Sequence, residues 1–247
     1  MPELNKANRQ VCDVDIRDLA TKMPFLWFDT ANTTTQNITS DAVYAMAKGA
    51  KRIAFHNPLD GTMTIEAQIV PFKFYAMMAG GDVETTAIYA DKRVIRATQA
   101  GSLTLPEGVV PGTVFAFPQG QFAVEANLIN GEFADGVFTS TDIVAETSYE
   151  VGYIIKRDSG VLKVSINNRK APKAYYITCN TVEKDENDVI TPFKMTIYKA
   201  TPQRSFELSQ SSEGDPATIT ATFDVLEDSD GNLMDMIEIT SEIDSQE

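Results

Sequence analysis

The stretch Ala217-Thr218-Ile219-Thr220-Ala221-Thr222-Phe223-Asp224-Val225 alternates apolar and polar residues. A period of two is typical of a β-strand with one buried and one wet face. Threonine suits the wet face of such a strand. We therefore predict an antiparallel strand whose core-facing residues are Ile219, Ala221, Phe223 and Val225.

Similar short β-runs recur along the chain, bounded by Gly, Pro or Asn, at residues 62–70, 112–118, 149–155, 161–166 and 193–198. Helical periodicity is scarce. One short helix is predicted from Pro71 to the stop signal Gly80-Gly81, and a second candidate runs from Asp41 to Lys48 with Ser40 as its N-cap. The fold class predicted is mainly β, an antiparallel β-sandwich or barrel with one or two short flanking helices.

The sequence pattern changes between residues 100 and 156, where short runs of strand-forming residues are separated by glycine and proline. We interpret this region as a small β-subdomain inserted into a larger β-core made of residues 1–99 and 157–247. The last residues, Thr240 to Glu247, are predicted to be a frayed acidic tail.

The chain of 247 residues has a formal net charge of −14, and no Lys or Arg follows Arg204. Nucleic-acid binders are usually basic, because neutralising phosphates drives their affinity. Ordinary nucleic-acid binding is therefore disfavoured. A negative wall would suit a conduit through which DNA passes without being held, although the same charge also aids solubility.

No apolar run reaches the roughly 18 residues of a membrane helix, and the polar start is unlike a secretory signal. We expect no membrane anchor and synthesis in a cytosol-like compartment. Cys12 and Cys179 are far apart in sequence and are expected to be packed thiols rather than part of a disulfide framework or zinc site.

The sequence contains few residues or motifs that indicate catalysis. His56 is the only histidine, at a predicted strand end, and the nucleophile, phosphate and dinucleotide motifs are missing. The run Asp228-Ser229-Asp230-Gly231-Asn232 begins like a calcium loop but lacks its later glycine and glutamate, and a hairpin turn leading into a strand at 234–239 is predicted instead. We expect no enzyme activity, catalytic residue, cofactor or metal.

Two further features precede the first predicted helix. Residues Asp29 to Asn37 form a polar stretch between apolar runs, interpreted as a long loop that is either functional or disordered. Trp27, the only tryptophan, is flanked by Phe25, Leu26 and Phe28, and is expected to lie in a core or a subunit contact.

The order of segments resembles the tail tube, or major tail, proteins of tailed phages and related contractile injection systems. The likeness covers about two thirds of the chain, and its motifs are strands and turns. The segments that carry it are 49–55, 60–69, 76–81, 173–177, 192–200 and 214–225.

The resemblance implies a structural subunit of a virion tail, made in the host bacterial cytoplasm. Its sheets would join edge to edge in hexameric rings that stack into a tube, with DNA passing through an acidic lumen. Sheath, tape-measure and terminator proteins would be its partners. The polar stretch would reach the next ring through Thr33, Thr34, Thr35, Gln36 and Asn37.

Two other functions stay open at this point. A β-sandwich adhesion or carbohydrate-binding module would need an exposed aromatic platform, which is the feature that distinguishes it. An unrecognised hydrolase is a third possibility, disfavoured by the single histidine.

Overall fold

The structure of the protein is a computed structural model that describes residues 5–240 except 206, 208–213 and 215. The chain divides into two compact units, the first made of Met1–Asp82 and Val164–Glu247 and the second of Val83–Lys163. The predicted insertion at 100–156 lies within the second unit.

The first unit begins with β1 (Lys6–Ala7), β2 (Asp13–Asp18), β3 (Pro24–Phe28), β4 (Ala31–Thr39), β5 (Ala42–Ala47), β6 (Ala50–His56), β7 (Asp60–Ala67) and α1 (Phe72–Ala79). The second unit contains β8 (Ala87–Arg96), β9 (Ser102–Thr104), β10 (Phe115–Pro118), a 3₁₀ turn (Glu125–Asn127), β11 (Glu132–Ala134), β12 (Val137–Thr139) and β13 (Ser148–Arg157). The first unit resumes with β14 (Tyr175–Asp185), β15 (Ile190–Pro202), β16 (Ile219–Leu226) and β17 (Met234–Glu238).

The first unit is built on one antiparallel sheet in the order β3-β2-β14-β15-β16-β7-β4, with β1 added to β14 and β17 to β15. Its inner face and α1 share one apolar core, in which the rings of Phe28 and Phe74 stack with centroids 5.7 Å apart. The sheet curls far enough for Gln36 Nε2 of β4 to donate to Cys179 Sγ of β14 at 3.6 Å. Among the described strands, β3 and β4 end the order without pairing with each other, so these strands form no closed barrel. The predicted mainly β, antiparallel fold is confirmed.

The alternation that predicted the fold is present in β16 and β7. Ile219, Ala221, Phe223 and Val225 are all buried, and the intervening residues are not. The neighbouring strand β7 shows the same alternation, with its apolar side chains inside. Burial of one face of each strand therefore sets the register of this part of the sheet.

The second unit has a separate core and two three-stranded antiparallel sheets, in the orders β10-β13-β8 and β11-β12-β9. Strand β8 precedes the predicted insertion, yet it pairs with β13 along its whole length, from Ala87 opposite Arg157 to Arg96 opposite Ser148. This pairing makes the second unit wider than the predicted bounds.

The helix α1 is confirmed where the sequence predicts it, after Pro71 and before Gly80. The second predicted helix, Asp41–Lys48, is wrong, because most of this stretch is strand β5. Lys48 and Gly49 have φ of 50° and 80°, which is the left-handed turn geometry that joins hairpin strands. A helix so short is marginal, so pairing with β6 decides the outcome.

The polar stretch is also not a loop. Residues 31–39 form strand β4, whose backbone pairs with β7 from Ala31 opposite Ala67 to Thr39 opposite Asp60. The composition of β4 does not indicate a strand, because its core-facing positions hold the polar residues Thr34 and Gln36 instead of apolar residues. Threonine is nevertheless a good strand former.

Two further details differ from prediction. Residues 161–166 form no strand and contribute one isolated bridge, Lys163 to Glu84. The turn at Asp228 exists, but β16 and β17 do not pair with each other, since both pair with the long strand β15. Most of the predicted acidic tail, residues 241–247, lies outside the described residues.

Gly80 provides a test of the packing at the end of α1. It has φ of 68°, and an added Cβ would lie 2.7 Å from the carbonyl oxygen of Ala171. Gly231 has φ of 83° with nothing within 4 Å of an added Cβ, so it is a matched control. We expect Gly80→Ala to lower the free energy of unfolding by about 1–3 kcal/mol more than Gly231→Ala, because only the first adds overpacking. Urea unfolding measures the difference, and equal losses would contradict the described packing.

Candidate functional site

The pair β4–β7 continues beyond the large sheet as the two-stranded pair β5–β6. The last pair of the first segment is Thr39 opposite Asp60, and the first of the second is Ala42 opposite His56. Between them, Ser40 Oγ donates to the Asn57 carbonyl at 2.8 Å. Residues 42–56 therefore form the distal half of one long hairpin, which we call the hairpin arm.

The hairpin arm is exposed almost everywhere. Every residue of β5 and β6 except Ala42 is exposed, and among the described strands these two pair only with each other. A two-stranded hairpin without a core is marginally stable in water. The described residues of the first unit thus offer the arm little packing that would stabilise it.

One face of the hairpin arm is apolar. Val43 lies opposite Phe55, and Ala45 lies opposite Ile53. The exposed fractions of Val43, Ile53 and Phe55 are 62%, 57% and 60%. On the other face, the Lys51 ammonium lies 3.8 Å from the centre of the Tyr44 ring. A contiguous exposed apolar face on a soluble protein marks an interaction surface.

The residues predicted to reach the next ring lie at the base of this hairpin, within β4. Gln36 points to the core side through its bond to Cys179, so by alternation Thr34 does too, while Thr33, Thr35 and Asn37 face outward. The structure thus spreads them over both faces of a paired strand. Their role in contacts between rings stays a prediction.

Sequence reasoning missed the hairpin arm, although a signal was present. Lys48-Gly49 is flanked by Val43 and Ala45 on one side and by Ile53 and Phe55 on the other. A turn pair that contains glycine, with apolar residues on both sides, is a signal of a hairpin.

A second surface, the aromatic face, lies on the outer side of β3, β2, β14 and β15. Trp27 is 54% exposed there, so its expected place in this chain's own core is wrong, and a subunit contact stays a prediction. Beside it is a shallow depression whose lining residues are Asp15, Arg17, Trp27, Tyr176, Thr178, Asn180, Lys194 and Thr196.

The aromatic face combines rings with charge. Arg17 Nε donates to Asp15 Oδ2 at 2.7 Å, and this bond raises the pKa of Arg17. The Tyr198 hydroxyl donates to Asp235, which raises the pKa of Tyr198 to about 12. Within the described part of the chain, Asn180 Oδ1 is buried without a hydrogen-bond partner. Trp, Tyr and Arg are the residues enriched at protein interfaces.

The sheet edges complete the set of candidate surfaces. As far as the structure describes the chain, β3 and β4 each pair on one side only, as does β8 in the second unit. Unpaired edges present backbone N–H and C=O groups that can pair with another chain.

An exposed apolar hairpin, an aromatic face and open sheet edges are the surfaces of a protein that associates. In agreement, the sequence matches the YomU/Tube protein family over residues 9–239. The chain belongs to the YomU/Tube protein family. Membership of a phage tail tube family, predicted from the order of strands and turns, is thereby confirmed. A comparison with curated proteins gives no match.

Membership of the YomU/Tube family gives the coarse function. It implies a role in a phage tail tube, a place in the virion tail, and self-association there. No helix in the described ranges is long and apolar enough to cross a membrane.

The residues weighed for chemistry occupy ordinary positions in this YomU/Tube member. His56 is exposed and ends β6, opposite Ala42. Cys12 and Cys179 are both buried, and a hydrogen bond between them, with burial, raises the pKa of Cys179. Within residues 5–240, gaps excepted, no group of three or more His, Cys, Asp or Glu could hold a metal ion.

In the loop that resembles a calcium site, backbone N–H groups of the loop itself bind the first carboxylate. Asp228 Oδ1 accepts hydrogen bonds from the backbone N–H groups of Asp230 and Asn232, at 2.9 and 2.8 Å. These donors, led by Asn232, lower the pKa of Asp228. The carboxylate thus serves as a turn-forming acceptor of the kind aspartate provides in Asx-turns.

Proposed function

We propose that this protein is a non-catalytic subunit of a phage tail tube that self-assembles into stacked hexameric rings, and that the lumen of the stack conducts DNA during ejection. Sheath, tape-measure and terminator proteins are the further partners that such a tube would need. Six copies per ring and these partners follow from the family resemblance.

The observation that carries self-assembly is the apolar face of the hairpin arm. Burying Val43, Ile53 or Phe55 against another chain would contribute about 1.5–3 kcal/mol for each side chain. A single association costs about 4–15 kcal/mol in lost freedom. Three such side chains would together supply roughly 4.5–9 kcal/mol, which offsets a large part of that cost, and pairing of sheet edges between copies would add to it. The occupant we propose is a neighbouring copy of the same chain.

The open edges suggest how copies could be arranged. Edge strand β3 of one copy and edge strand β4 of the next could pair and continue the sheet around a ring. A head-to-tail contact of this kind generates a closed ring when its rotation permits and a filament when it does not. The edge contact would build the ring, and the hairpin arm would hold neighbours or stack rings.

The charge of the chain fits passage of DNA rather than binding. A surface with a formal net charge of −14 repels a polyanion. A lumen that bound phosphates would have to break each of these contacts as the DNA moved. The proposed role therefore calls for no catalytic group, cofactor or metal, and the lone histidine, His56, has no part in it.

The hairpin arm gives a direct test of self-assembly. The double variant Val43→Thr with Phe55→Thr keeps residues that favour strands but removes the apolar pair. We expect assembly to weaken at least tenfold, because about 1.4 kcal/mol corresponds to a factor of ten. Sedimentation and negative-stain microscopy measure rings and tubes.

Leu162→Thr is the matched control, because Leu162 is 61% exposed but lies outside the hairpin arm. Both variants should keep the urea midpoint of the dispersed chain, since exposed substitutions change stability little. If the double variant assembles like the Leu162→Thr control, the hairpin arm is not the contact.

The alternative is a β-sandwich adhesion or carbohydrate-binding module, and one observation favours it. Trp27 is an exposed aromatic residue beside a depression that contains Arg17 and Asn180. Exposed rings with nearby polar groups can stack on sugars. The same face would equally suit a contact between subunits, as Trp and Arg anchor many interfaces.

The variant Trp27→Ala separates these possibilities. For a tube subunit we expect the chain to fold with an unchanged urea midpoint and to assemble less well, while the unmodified protein binds no glycan on an array. Trp27→Phe is the control that retains a ring. Normal assembly of Trp27→Ala, together with glycan binding that depends on Trp27, would favour the carbohydrate-binding function instead.

A further inference from the structure

A regular grid of small polar side chains covers one part of the large sheet. Three rows cross the adjacent strands β4, β7 and β16, and each row takes one residue from each strand. The rows are Thr33, Glu66 and Thr220, then Thr35, Thr64 and Thr222, then Asn37, Thr62 and Asp224. We call these nine residues the threonine grid.

All nine residues lie on the outer side of the sheet. The residues between them in β7 and β16 are buried, which forces the grid residues to the opposite face. In the centre, the hydroxyls of Thr64 and Thr222 lie 3.4 Å apart, which places these two strands' threonines on one surface. In β4, Gln36 points inward, so its neighbours Thr35 and Asn37 point to the outer side of the sheet.

The grid is low in relief and carries no positive charge. Six of its nine residues are threonines, and its only ionisable residues are Glu66 and Asp224. The Asp224 carboxylate accepts a hydrogen bond from the Gln203 amide at 2.6 Å, so its nearest polar partner is neutral. Neutral hydroxyls and a few carboxylates offer nothing that could neutralise a phosphate.

The other half of the same sheet is chemically different. The aromatic face carries Arg17 and Lys194 beside the exposed ring of Trp27. Arg17 is already paired with Asp15, but Lys194 could pair with a phosphate and release counterions, which would favour holding DNA. Large rings and an Arg instead suit contact with protein. The two halves of the outer surface are therefore not interchangeable in a tube.

We infer that the threonine grid lines the lumen of the tube, and that the polyanion passing it is double-stranded DNA. This inference rests on the proposed function, because only a tube has a lumen. It assigns the wall to three strands, β4, β7 and β16, and to the carboxylates Glu66 and Asp224. It also places Thr33, Thr35 and Asn37 on the lumen side of β4 rather than at a contact between rings.

Thiol labelling of single-cysteine additions tests the assignment. Thr64→Cys and Thr35→Cys place a thiol in the grid at two independent positions. Thr178→Cys is the matched control, a strand threonine on the aromatic face. The unmodified chain gives the background, since Cys12 and Cys179 are both buried. Each protein is labelled both in the dispersed state and in tubes. Two reagents are used separately, a small maleimide and a maleimide that carries a bulky polymer.

We expect both reagents to label both grid variants in the dispersed state. In tubes, the small reagent should still label them, and labelling by the bulky reagent should fall at least tenfold, because the polymer cannot enter the lumen. In tubes, Thr178→Cys should behave differently from the grid variants. The two reagents should both label it or both fail to label it.

Three results would overturn the inference. Labelling of the grid by both reagents in tubes places it outside, and labelling by neither places it between subunits. Loss of tube formation in both grid variants makes the grid a contact surface. Failure of the unmodified chain to form tubes is a separate result, seen by microscopy before any labelling, and it rejects the proposed function itself.

Discussion

Strand β7 sets the register of its half of the large sheet, because from Gly61 to Ala67 it lies between β16 and β4 and is paired with both. Met63 and Ile65 point into the core, and Thr62 and Thr64 point the other way. Its partners β16 and β4 must follow the same alternation, since a slip of one residue would exchange buried and exposed faces. The core, the outer face and the root of the hairpin are therefore set by one register.

That register also determines where the surfaces proposed for assembly lie. The strands β4 and β7 leave the sheet as a pair, so the hairpin arm is held at its base by β7, and its tip pairs with no other described strand. The same pairing aligns three threonine-bearing strands into one smooth outer surface. A chain that uses its core strands to present both an apolar arm and a hydroxyl-rich wall is suited to a polymer with a bore.

Much of the fold could be predicted from sequence where burial leaves a regular pattern. The strand at 217–225 and the helix after Pro71 are examples, because apolar period and turn residues agree there. The polar strand β4 could not be recognised, since Gln36 faces the core through a bond to Cys179 rather than through apolar packing. In the hairpin arm, Asp41–Lys48 is predicted to be a helix because Ala42–Ala47 is an uninterrupted apolar run that shows no strand alternation. Both failures fall on surfaces proposed to meet other molecules.

Hydrogen exchange of the β5 and β6 amides, compared between dispersed and assembled protein, tests most directly whether the hairpin arm finds its missing partner in another copy. An isolated two-stranded hairpin opens readily, so its amides should exchange fast in the dispersed chain, whereas those of β7 should exchange slowly. On assembly into tubes, exchange of the arm amides should slow at least tenfold and exchange in β7 should change little. Arm amides that exchange equally fast in both states would contradict the central claim that neighbouring copies bury this hairpin.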